Sequence, residues 1–397
     1  MPPPTIVTLP PNALTVISLG MGVDSSAMLA RLLIDPQVRR HRDGLVVLSA
    51  MTGEEYPRTE ELMNAHLLPL MRRFEVRFVQ VAALGPHVRD GYIVLSDSRQ
   101  TERMIMRGPW RLSDELRANG TLPESAKHQR KCSIHAKGQP LDGWIRDHLG
   151  GAPYEHLLGF SADEPDRAVN DRSYARLGRR PRHPLIDWAW DRRTCEGYLH
   201  EQFGVVWERS CCTFCPFQNG DREGFADRWR RNPAAVVDAI ILEYTALALN
   251  PRMALFGRRT ARTVAASFGL HDAIAAADAR LAEMPWHIYD VRRIYHPHRS
   301  EPGRKGPVWR SVRTLEVCTP QAATDVVRRM PGASVDEFGI TRAWLHRTAA
   351  AYPRTEHLIV AAPTGVHDKQ RTTFEQRWAW AQEGVADSSE PSQQGSK

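Results

Sequence analysis

A short turn rich in glycine and serine, Ser18–Ser26, separates an apolar run from a run of good helix formers. The preceding residues 13–17 (ALTVI) are apolar and partly β-branched, which is typical of a buried strand. Residues 27–33 (AMLARLL) favour a helix, and either Asp24 or Ser25 can serve as its N-cap. Such a turn directs backbone N–H groups and the positive end of a helix dipole at one point, which suits a phosphate group.

The turn differs from the common P-loop, because no Gly-Lys-Ser/Thr sequence ends it. It resembles instead the pyrophosphate-binding loop of the PP-loop ATP pyrophosphatases, whose usual form is Ser-Gly-Gly-x-Asp-Ser. This loop is longer, with Met21-Gly22-Val23 before the aspartate. The resemblance implies that ATP and Mg²⁺ bind here, and a simple strand–helix turn is the alternative. The nucleotide-binding residues that we predict are Ser18, Gly20, Gly22, Asp24, Ser25, Ser26, Thr52 and Gly53.

Strand and helix patterns alternate along the first part of the chain. Residues 44–50 and 76–81 predict two further strands, and residues 58–73 predict the helix between them. This alternation predicts an α/β fold with a Rossmann-like, doubly wound parallel sheet, here of the PP-loop type. Ligands of such sheets bind at the carboxyl ends of the strands, and Thr52-Gly53-Glu54 lies at one of these ends.

Further along the chain the pattern is less regular. Residues 154–160 predict another strand, whereas the polar, Arg-rich residues 85–130 predict an irregular insertion or a mobile loop. Three helices are predicted at 195–203, 221–231 and 234–249. We expect four parts: an N-terminal extension (1–12), a nucleotide-binding domain (13–250), a C-terminal accessory domain of mixed helical and α/β character (251–383) and a disordered tail (384–397).

Length, apolar content and charge limit the possible number of domains, cellular location and partners of the protein. A chain of 397 residues, of which 42% are hydrophobic, is long enough for two domains. No apolar run approaches a membrane span and the Pro-rich amino end lacks a signal pattern, so we expect a cytoplasmic protein with no membrane contact. The net charge of +7 fits an anionic partner, but only six of the 53 basic residues are lysine. Genomic base composition alone can produce such an excess of arginine.

The six cysteines are distributed unevenly, since Cys211, Cys212 and Cys215 fall within five residues. A Cys-x-x-Cys loop followed by proline is a common chelate, because two intervening residues let both sulfurs face one ion. Together Cys132, Cys195, Cys212 and Cys215 supply four thiolates, enough for a [4Fe–4S] cluster or a zinc ion. The alternatives are a redox dithiol and scattered buried cysteines. Cys211 would be a spare ligand or a thiol that carries sulfur.

Over residues 14–245 the chain resembles the phosphoadenosine-phosphosulfate-reductase-like branch of the PP-loop superfamily. The resemblance implies an enzyme that cleaves ATP between its α and β phosphates, or one that binds an adenylated sulfonucleotide. The stretches that carry the resemblance are residues 18–26, 52–54, 132–141, 159–167, 184–188 and 212–217.

Three charged residues near predicted strand ends are candidate catalytic groups. Asp24 would hold Mg²⁺ or cap the following helix. Glu54 would orient the substrate or Mg²⁺, or would be an exposed loop acid. Arg167 would pair with a phosphate, or would form an ion pair on the surface.

One departure from the family bears on the reaction. The chain has no Glu-Cys-Gly-x-His near its carboxyl end, where sulfonucleotide reductases carry a nucleophilic cysteine, and Cys318 is a poor match. The remaining relatives insert sulfur, as in the DNA phosphorothioation ATPase and the iron–sulfur tRNA thiolases. The resemblance therefore implies ATP-dependent adenylation of a nucleic acid or nucleobase, followed by transfer of sulfur that is held at the iron–sulfur cluster or on a cysteine, with a sulfur donor protein as a partner.

Two alternatives remain for the function. One is a sulfonucleotide reductase, and the other is a non-catalytic, metal-stabilised protein that binds nucleic acid. For a polyanionic acceptor, the basic residues of the 85–130 segment would act as guides. We expect the same of Arg176, Arg179, Arg180 and Arg182.

Overall fold

The computed structural model of the chain describes residues 13–39, 42–123, 125–126, 129–173, 178–218, 222–348 and 352–382. By their contacts the residues divide into two units. Unit 1 comprises Met1–Glu115 and Pro123–Ala235, and unit 2 comprises Leu116–Leu122 and Val236–Lys397. The predicted N-terminal extension and C-terminal tail lie outside the described residues, as does Arg176.

Unit 1 contains the predicted alternation of strands and helices. Its strands are β1 (Leu14–Ser18), β2 (Leu45–Met51), β3 (Arg77–Ala83), β4 (Tyr92–Ser98), β5 (Ser125–Ala126), β6 (Gln129–Arg130), β7 (Tyr154–Leu158) and β8 (Arg179–Arg182). Its helices are α1 (Val23–Ile34), α2 (Pro57–Leu62), α3 (Leu68–Arg73), α4 (Leu112–Asn119, whose last four residues belong to unit 2), α5 (Lys131–Ser133), α6 (Gln139–Leu149), α7 (Pro165–Ser173), α8 (Pro184–Asp187), α9 (Arg192–Phe203) and α10 (Arg222–Arg231).

Two helical stretches of unit 1 contain a π turn. Met63–Leu67 joins α2 to α3, and Ile134–Gly138 joins α5 to α6. In each, one residue more than usual is accommodated per turn, a feature that is frequent near functional sites. Single 3₁₀ turns occur at Arg42–Gly44, Val88–Asp90 and Pro216–Gln218.

The main sheet of unit 1 has six strands in the order β4-β3-β2-β1-β7-β8. All neighbouring strands are parallel except β3 and β4, which confirms the α/β class and a mostly parallel sheet. The order reverses at β1, because β2 and β3 lie on one side of it and β7 and β8 on the other. Ligands of such sheets bind at the carboxyl ends of the strands beside the reversal.

The prediction of an irregular segment at 85–130 was wrong for the stretches that form strand β4 and helix α4. Strand β4 is at the edge of the sheet and its side chains are half-buried or exposed. A polar edge strand lacks the apolar run by which the other strands are recognised.

Both faces of the unit 1 sheet are covered. Residues such as Ile17, Val47 and Phe78 point to one face and pack with α1, the α2–α3 stretch and α9. Residues such as Val16 and Val46 point to the other face and pack against α6. Because both faces of these strands are buried, their sequences are continuous hydrophobic runs.

Unit 2 is built on an antiparallel sheet of five strands in the order β10-β9-β13-β12-β11. Its strands are β9 (Trp286–Pro297), β10 (Lys305–Cys318), β11 (Ala333–Val335), β12 (Thr341–Arg347) and β13 (Arg354–Pro363). Its helices are α11 (Pro233–Leu249, whose first three residues belong to unit 1), α12 (Ala261–Ser267), α13 (His271–Glu283), α14 (Pro320–Arg328) and α15 (Phe374–Gln382).

The carboxyl end of α11 is held by arginines of the unit 2 sheet. The Arg293 guanidinium donates to the carbonyl of Leu249, and the Arg342 guanidinium donates to the carbonyls of Leu247 and Ala248. These last carbonyls have no partner within the helix, and cations at this end also oppose the helix dipole. The last turn of α11 packs on the same face of the sheet.

Among the described residues, no single helix is both long and apolar enough to cross a membrane. Helices α10 and α11, which are separated by a break, meet the length and composition criteria only when they are taken together as a bent pair. Most side chains of α11 are buried within the protein.

Candidate nucleotide-binding site

The loop between β1 and α1 is held against strand β2. The Leu19 N–H donates to the carbonyl of Leu48 at 2.9 Å, and the Ser49 hydroxyl donates to the carbonyl of Leu19 at 2.8 Å. Met21 then adopts a left-handed backbone conformation with φ 60°, which is uncommon for a residue other than glycine. The Trp207 indole N–H donates to the Met21 carbonyl at 3.2 Å and so stabilises this turn.

The first turn of α1 presents polar groups that the described residues leave without partners. Gly22 is the N-cap and, having no side chain, it cannot accept a hydrogen bond from the first N–H groups of the helix. The hydroxyl of Ser26 and Oδ1 of Asp24 are buried without a hydrogen-bond partner among the described residues. Buried polar atoms are normally paired, so this turn is suited to receive a polar ligand.

The carboxyl end of β7 lies directly against this turn. A Cβ atom at Gly159 would lie 2.7 Å from Cα of Ser25 and 2.8 Å from its backbone N. Only glycine allows so close an approach of two backbones. The sequence 159–167 carried the family resemblance, and the structure places its first residue at the predicted phosphate loop.

A chain of hydrogen bonds between buried and half-buried groups begins at Ser18. Its Oγ lies 2.8 Å from Nε2 of His156, and Nδ1 of His156 accepts from Nε of Arg179 at 2.8 Å. Arg179 pairs with Asp171 at 2.7 Å, and Asp171 lies 3.1 Å from Nε2 of His183. Arg179 is only 7% exposed, so it does not act as the surface guide that the sequence suggested.

This series of hydrogen bonds determines which ring nitrogen of His156 carries the proton. Arginine is always a donor, so Nδ1 of His156 is the acceptor and the ring proton lies on Nε2. The ring therefore donates to Ser18 Oγ, and the Ser18 hydroxyl proton remains for another acceptor at the end of β1.

Asp24 pairs with Arg192, at the start of α9. Oδ2 of Asp24 lies 2.9 Å from Nη1 of Arg192, whose backbone N–H donates to Asp163 at 2.8 Å. Burial raises the pKa of the Asp24 carboxyl, and the Arg192 charge opposes this only in part. Asp24 does not cap α1, because the N-cap is Gly22.

Glu54 and its neighbours contact a different helix. Oε1 of Glu54 accepts from the N–H of Ser113 at 3.1 Å, in the first turn of α4. Burial raises the pKa of Glu54 despite these bonds. Gly53 has φ 78°, and a Cβ there would lie 2.7 Å from Cγ of Arg111. The buried Thr52 hydroxyl donates to Oε1 of Glu55 at 2.8 Å, so the polar side chains of this turn form hydrogen bonds with one another.

Arg167 forms the ion pair that was the alternative to phosphate binding. Its Nη1 lies 2.8 Å from both carboxylate oxygens of Glu164, and 58% of its side chain is exposed. Its guanidinium also lies 4.3 Å from the centre of the Phe160 ring. Arg167 is near enough to affect the Asp24 carboxyl electrostatically.

Four cysteines belong to one neighbourhood. Burial is the largest cause of a raised pKa in Cys132, Cys211 and Cys212, and the proximity of Cys215 raises the pKa of each thiol further. Burial also raises the pKa of Cys215, and it raises that of Cys211 to about 12. Cys212 lies 3.7 Å from the Thr52 hydroxyl, so the group adjoins the end of β2.

Lys137 and Glu55 complete this neighbourhood. Nζ of Lys137 lies 3.8 Å from Oε1 of Glu55, whose side chain is 1% exposed. Burial lowers the pKa of Lys137, but Glu55 and the cysteines outweigh it and the net shift is upward. A cation is therefore held beside the cysteines.

Cys195 lies elsewhere in unit 1. It is fully buried in the main core, on α9, and packs among residues of that core such as Leu29 and Leu199. Burial raises the pKa of its thiol to about 12, and the strongest charges on it come from Asp24 and Arg192. The structure thus brings Cys132, Cys212 and Cys215 together with Cys211, and not with Cys195.

Within the described part of the chain, no three His, Cys, Asp or Glu side chains are arranged to hold a metal ion. The cysteine neighbourhood therefore does not fit a [4Fe–4S] cluster or a zinc ion in this arrangement. A cavity of about 800 Å³ lies in unit 1, between the β3–β4 connection and α6. None of the predicted nucleotide, catalytic or cysteine residues lines it.

Comparisons with family models, with curated proteins and with solved structures found no match to this chain. The structure adds His156, Arg179 and Arg192 to the residues that the sequence singled out. A signal for His156 was present, because Glu155 and His156 interrupt an otherwise apolar strand. Polar residues in a buried strand require partners.

Proposed function

We propose that unit 1 is a Rossmann-like, PP-loop ATP pyrophosphatase that adenylates an acceptor for sulfur transfer. The observation that carries this proposal is the uncapped first turn of α1, located where the strand order reverses between β1 and β7. Helix N-termini in this position bind phosphate groups, because their N–H groups and the helix dipole favour an anion. The resemblance of residues 14–245 to this family supports the same assignment.

The residues of the loop have separate tasks in this proposal. The first N–H groups of α1 and the hydroxyl of Ser26 would bind the β and γ phosphates. The Ser18 hydroxyl would donate to a phosphate oxygen, with His156 fixing its orientation. Oδ1 of Asp24, buried and unpartnered among the described residues, fits a Mg²⁺ ligand. When bound, Mg²⁺ would neutralise charge on the phosphates.

The reaction would consist of two displacements. An oxygen of the acceptor attacks the α phosphorus of ATP, and pyrophosphate leaves. The adenylated oxygen is then a good leaving group, and a sulfur nucleophile from a donor protein displaces AMP. Most of this catalysis consists of orientation and charge neutralisation, for which Arg192 is well placed beside Asp24.

The cysteine neighbourhood supports sulfur chemistry near the same sheet edge. Glu55 and Cys212 form a backbone bridge, and Cys212 contacts Thr52 directly after β2. Strand β2 is the neighbour of β1, so the cysteines adjoin the strand end beside the phosphate loop. No step is assigned to a metal here, because the described side chains do not form a metal site.

Product analysis tests the proposal. We expect the full chain, incubated with Mg²⁺ and α-labelled ATP, to release AMP and pyrophosphate with water attacking the α phosphorus in place of the acceptor, and Gly159→Ala to abolish this release. ADP and phosphate as products would contradict the PP-loop assignment. Absence of nucleotide binding would leave a non-catalytic nucleic-acid-binding protein. Sulfite release from adenylated sulfate in the presence of thioredoxin would identify a sulfonucleotide reductase instead.

A further inference from the structure

Unit 2 contains one buried carboxylate that four arginines share. Glu356, in β13, is fully buried, and Nη2 of Arg252 lies 2.8 Å from its Oε2. Arg354 lies 3.3 Å from Glu356, Arg293 lies 3.7 Å from it and Arg347 lies 4.0 Å from it. We call Arg252, Arg293, Arg347, Arg354 and Glu356 the arginine face.

The strand register places most of this face on one side of the sheet. Arg293 is directly opposite Glu356 across β9 and β13, and Arg347 is directly opposite Glu356 across β12 and β13. Directly opposite residues of neighbouring strands share a face. Tyr295 and Arg354 form the next opposed pair on that side, two residues further along each strand.

Tyr295 contacts three cations at this face, two of which are members of it. Its hydroxyl donates to Oε2 of Glu356 at 2.8 Å. The guanidinium groups of Arg252 and Arg354 lie 4.9 Å and 4.7 Å from the centre of its ring, and Nζ of Lys305 lies 5.5 Å from it. Cations are attracted to aromatic rings, so Tyr295 favours this accumulation of positive charge.

The charge of the arginine face is not balanced from within. One carboxylate cannot neutralise four guanidinium groups, and it is the only carboxylate with which any of them pairs in the described residues. Glu356 has no exposed surface, whereas 42% of the Arg252 side chain and 58% of the Arg347 side chain are exposed. The charge that reaches solvent from this face is therefore positive.

A structural role accounts for only part of the face. Arg293 holds the end of α11, and Arg252 satisfies Glu356 with two hydrogen bonds. Arg347 is beyond hydrogen-bond distance from Glu356, and Nε of Arg354 is buried without a hydrogen-bond partner among the described residues. Buried donors of this kind are costly unless a ligand satisfies them.

We propose that the arginine face binds the phosphate backbone of a nucleic-acid strand. Guanidinium groups suit phosphate oxygens because they donate two parallel hydrogen bonds. Aromatic rings accompany them, since the Arg347 guanidinium lies 4.7 Å from the centre of the Trp344 ring. Tyr295 is buried and Trp344 is half-buried, but planar guanidinium groups can themselves stack on bases, which favours nucleic acid over an acidic protein.

The inference rests on unit 2 alone and does not require ATP chemistry in unit 1. It bears on the proposed function because it would supply the contact with a nucleic-acid acceptor. Binding is therefore measured without ATP, so that a failure of one proposal is distinguishable from a failure of the other.

Fluorescence anisotropy of labelled single-stranded RNA and DNA, titrated with the full chain, tests the inference. We expect Arg347→Ala/Arg354→Ala to weaken binding by about tenfold and to lower the salt dependence of log K by about 0.7 per arginine. The matched control is Arg280→Ala/Arg328→Ala, which removes two arginines of unit 2, each 58% exposed and paired with its own aspartate. The control should keep wild-type affinity.

Three results would overturn the inference. Equal losses in both double variants would show that only the total charge matters. Competition by polyglutamate as strong as that by an oligonucleotide of equal charge would show a surface for acidic proteins. Equally strong competition by inorganic phosphate would show a site for a small anion. If the double variant has a lowered melting temperature, Arg347→Ala alone is used to measure the loss of binding, because Arg347 makes no hydrogen bond to Glu356.

Discussion

Ser18 contacts His156 diagonally across the parallel strands β1 and β7, with Oγ and Nε2 2.8 Å apart. The register pairs Ser18 with Leu158 and His156 with Val16, so the two polar residues lie two positions apart on the same face. The contact joins the start of the phosphate loop to Arg179, which is buried. The orientation of the Ser18 hydroxyl is therefore set from inside the protein.

We expect Ser18→Ala to weaken ATP binding about fivefold, because one hydrogen bond is worth about 1 kcal/mol. His156→Phe should cause a similar loss although Ser18 is retained, since the ring no longer orients the hydroxyl. Isothermal titration with ATP checks both variants. Ser334→Ala, which removes a hydroxyl from β11 in unit 2, is the control. Wild-type affinity in Ser18→Ala would remove Ser18 from the site.

Gly159→Ala should destroy nucleotide binding and lower the melting temperature, because its Cβ would lie 2.7 Å from Cα of Ser25. The matched control is Gly197→Ala in α9, where a new Cβ would meet no described atom within 4 Å. Alanine favours helix over glycine by roughly 1 kcal/mol, so the control should be neutral or stabilising. Thermal unfolding and ATP titration are the measurements. A normal Gly159→Ala protein would contradict the close approach of β7.

The metal content of anaerobically purified variants distinguishes which cysteines act as ligands. The sequence predicts that Cys195 is a ligand, whereas the structure places it in the core and places Cys211 beside the other three. Although the described side chains form no metal site as they stand, any iron or zinc that the purified wild type contains should be retained in Cys195→Ala and largely lost in Cys212→Ala and Cys215→Ala. Loss of metal in Cys195→Ala, with an unchanged melting temperature, would restore the predicted set.

The stability of unit 2 should depend on pH through Glu243, which is 2% exposed in α11. Burial raises its pKa to about 7, although the N–H groups of Leu255 and Ala261 donate to it. The folded state then holds a proton that the unfolded state releases, so stability should fall as pH rises from about 4.5 to about 7. The expected decrease is about 3 kcal/mol, since one pKa unit is worth about 1.4 kcal/mol.

Urea unfolding at a series of pH values measures this dependence. Glu243→Gln should flatten it, and should also lower the stability because its amide NH₂ meets one of the two N–H donors while its oxygen accepts from the other. Glu283→Gln, at the exposed end of α13, is the control and should keep the wild-type slope. A wild-type slope in Glu243→Gln would assign the pH dependence to other groups.

The sequence predicted those elements whose physics is local. Strands β1, β2 and β3 and the helices that follow β1 and β2 follow from apolar runs and helix formers, and the turn after β1 follows from its glycines. Partners that depend on tertiary contact were not predictable. The pairing of His156 with Ser18 depends on the strand order, and the exchange of Cys195 for Cys211 depends on which face of α9 is buried. The arginine face was hidden because its members come from distant parts of the chain, with Arg252 104 positions before Glu356.

The π turn Ile134–Gly138 links Cys132, in α5, to helix α6, whose residues Trp144 and Ile145 are buried against the sheet. Deleting one residue from this turn would turn α6 by about 100° relative to the cysteine. The cysteine and the buried face of α6 then could not both keep their positions. The spacing of this segment is thus constrained even where the identity of its residues is free to change, and a homologue should tolerate substitutions here better than insertions or deletions.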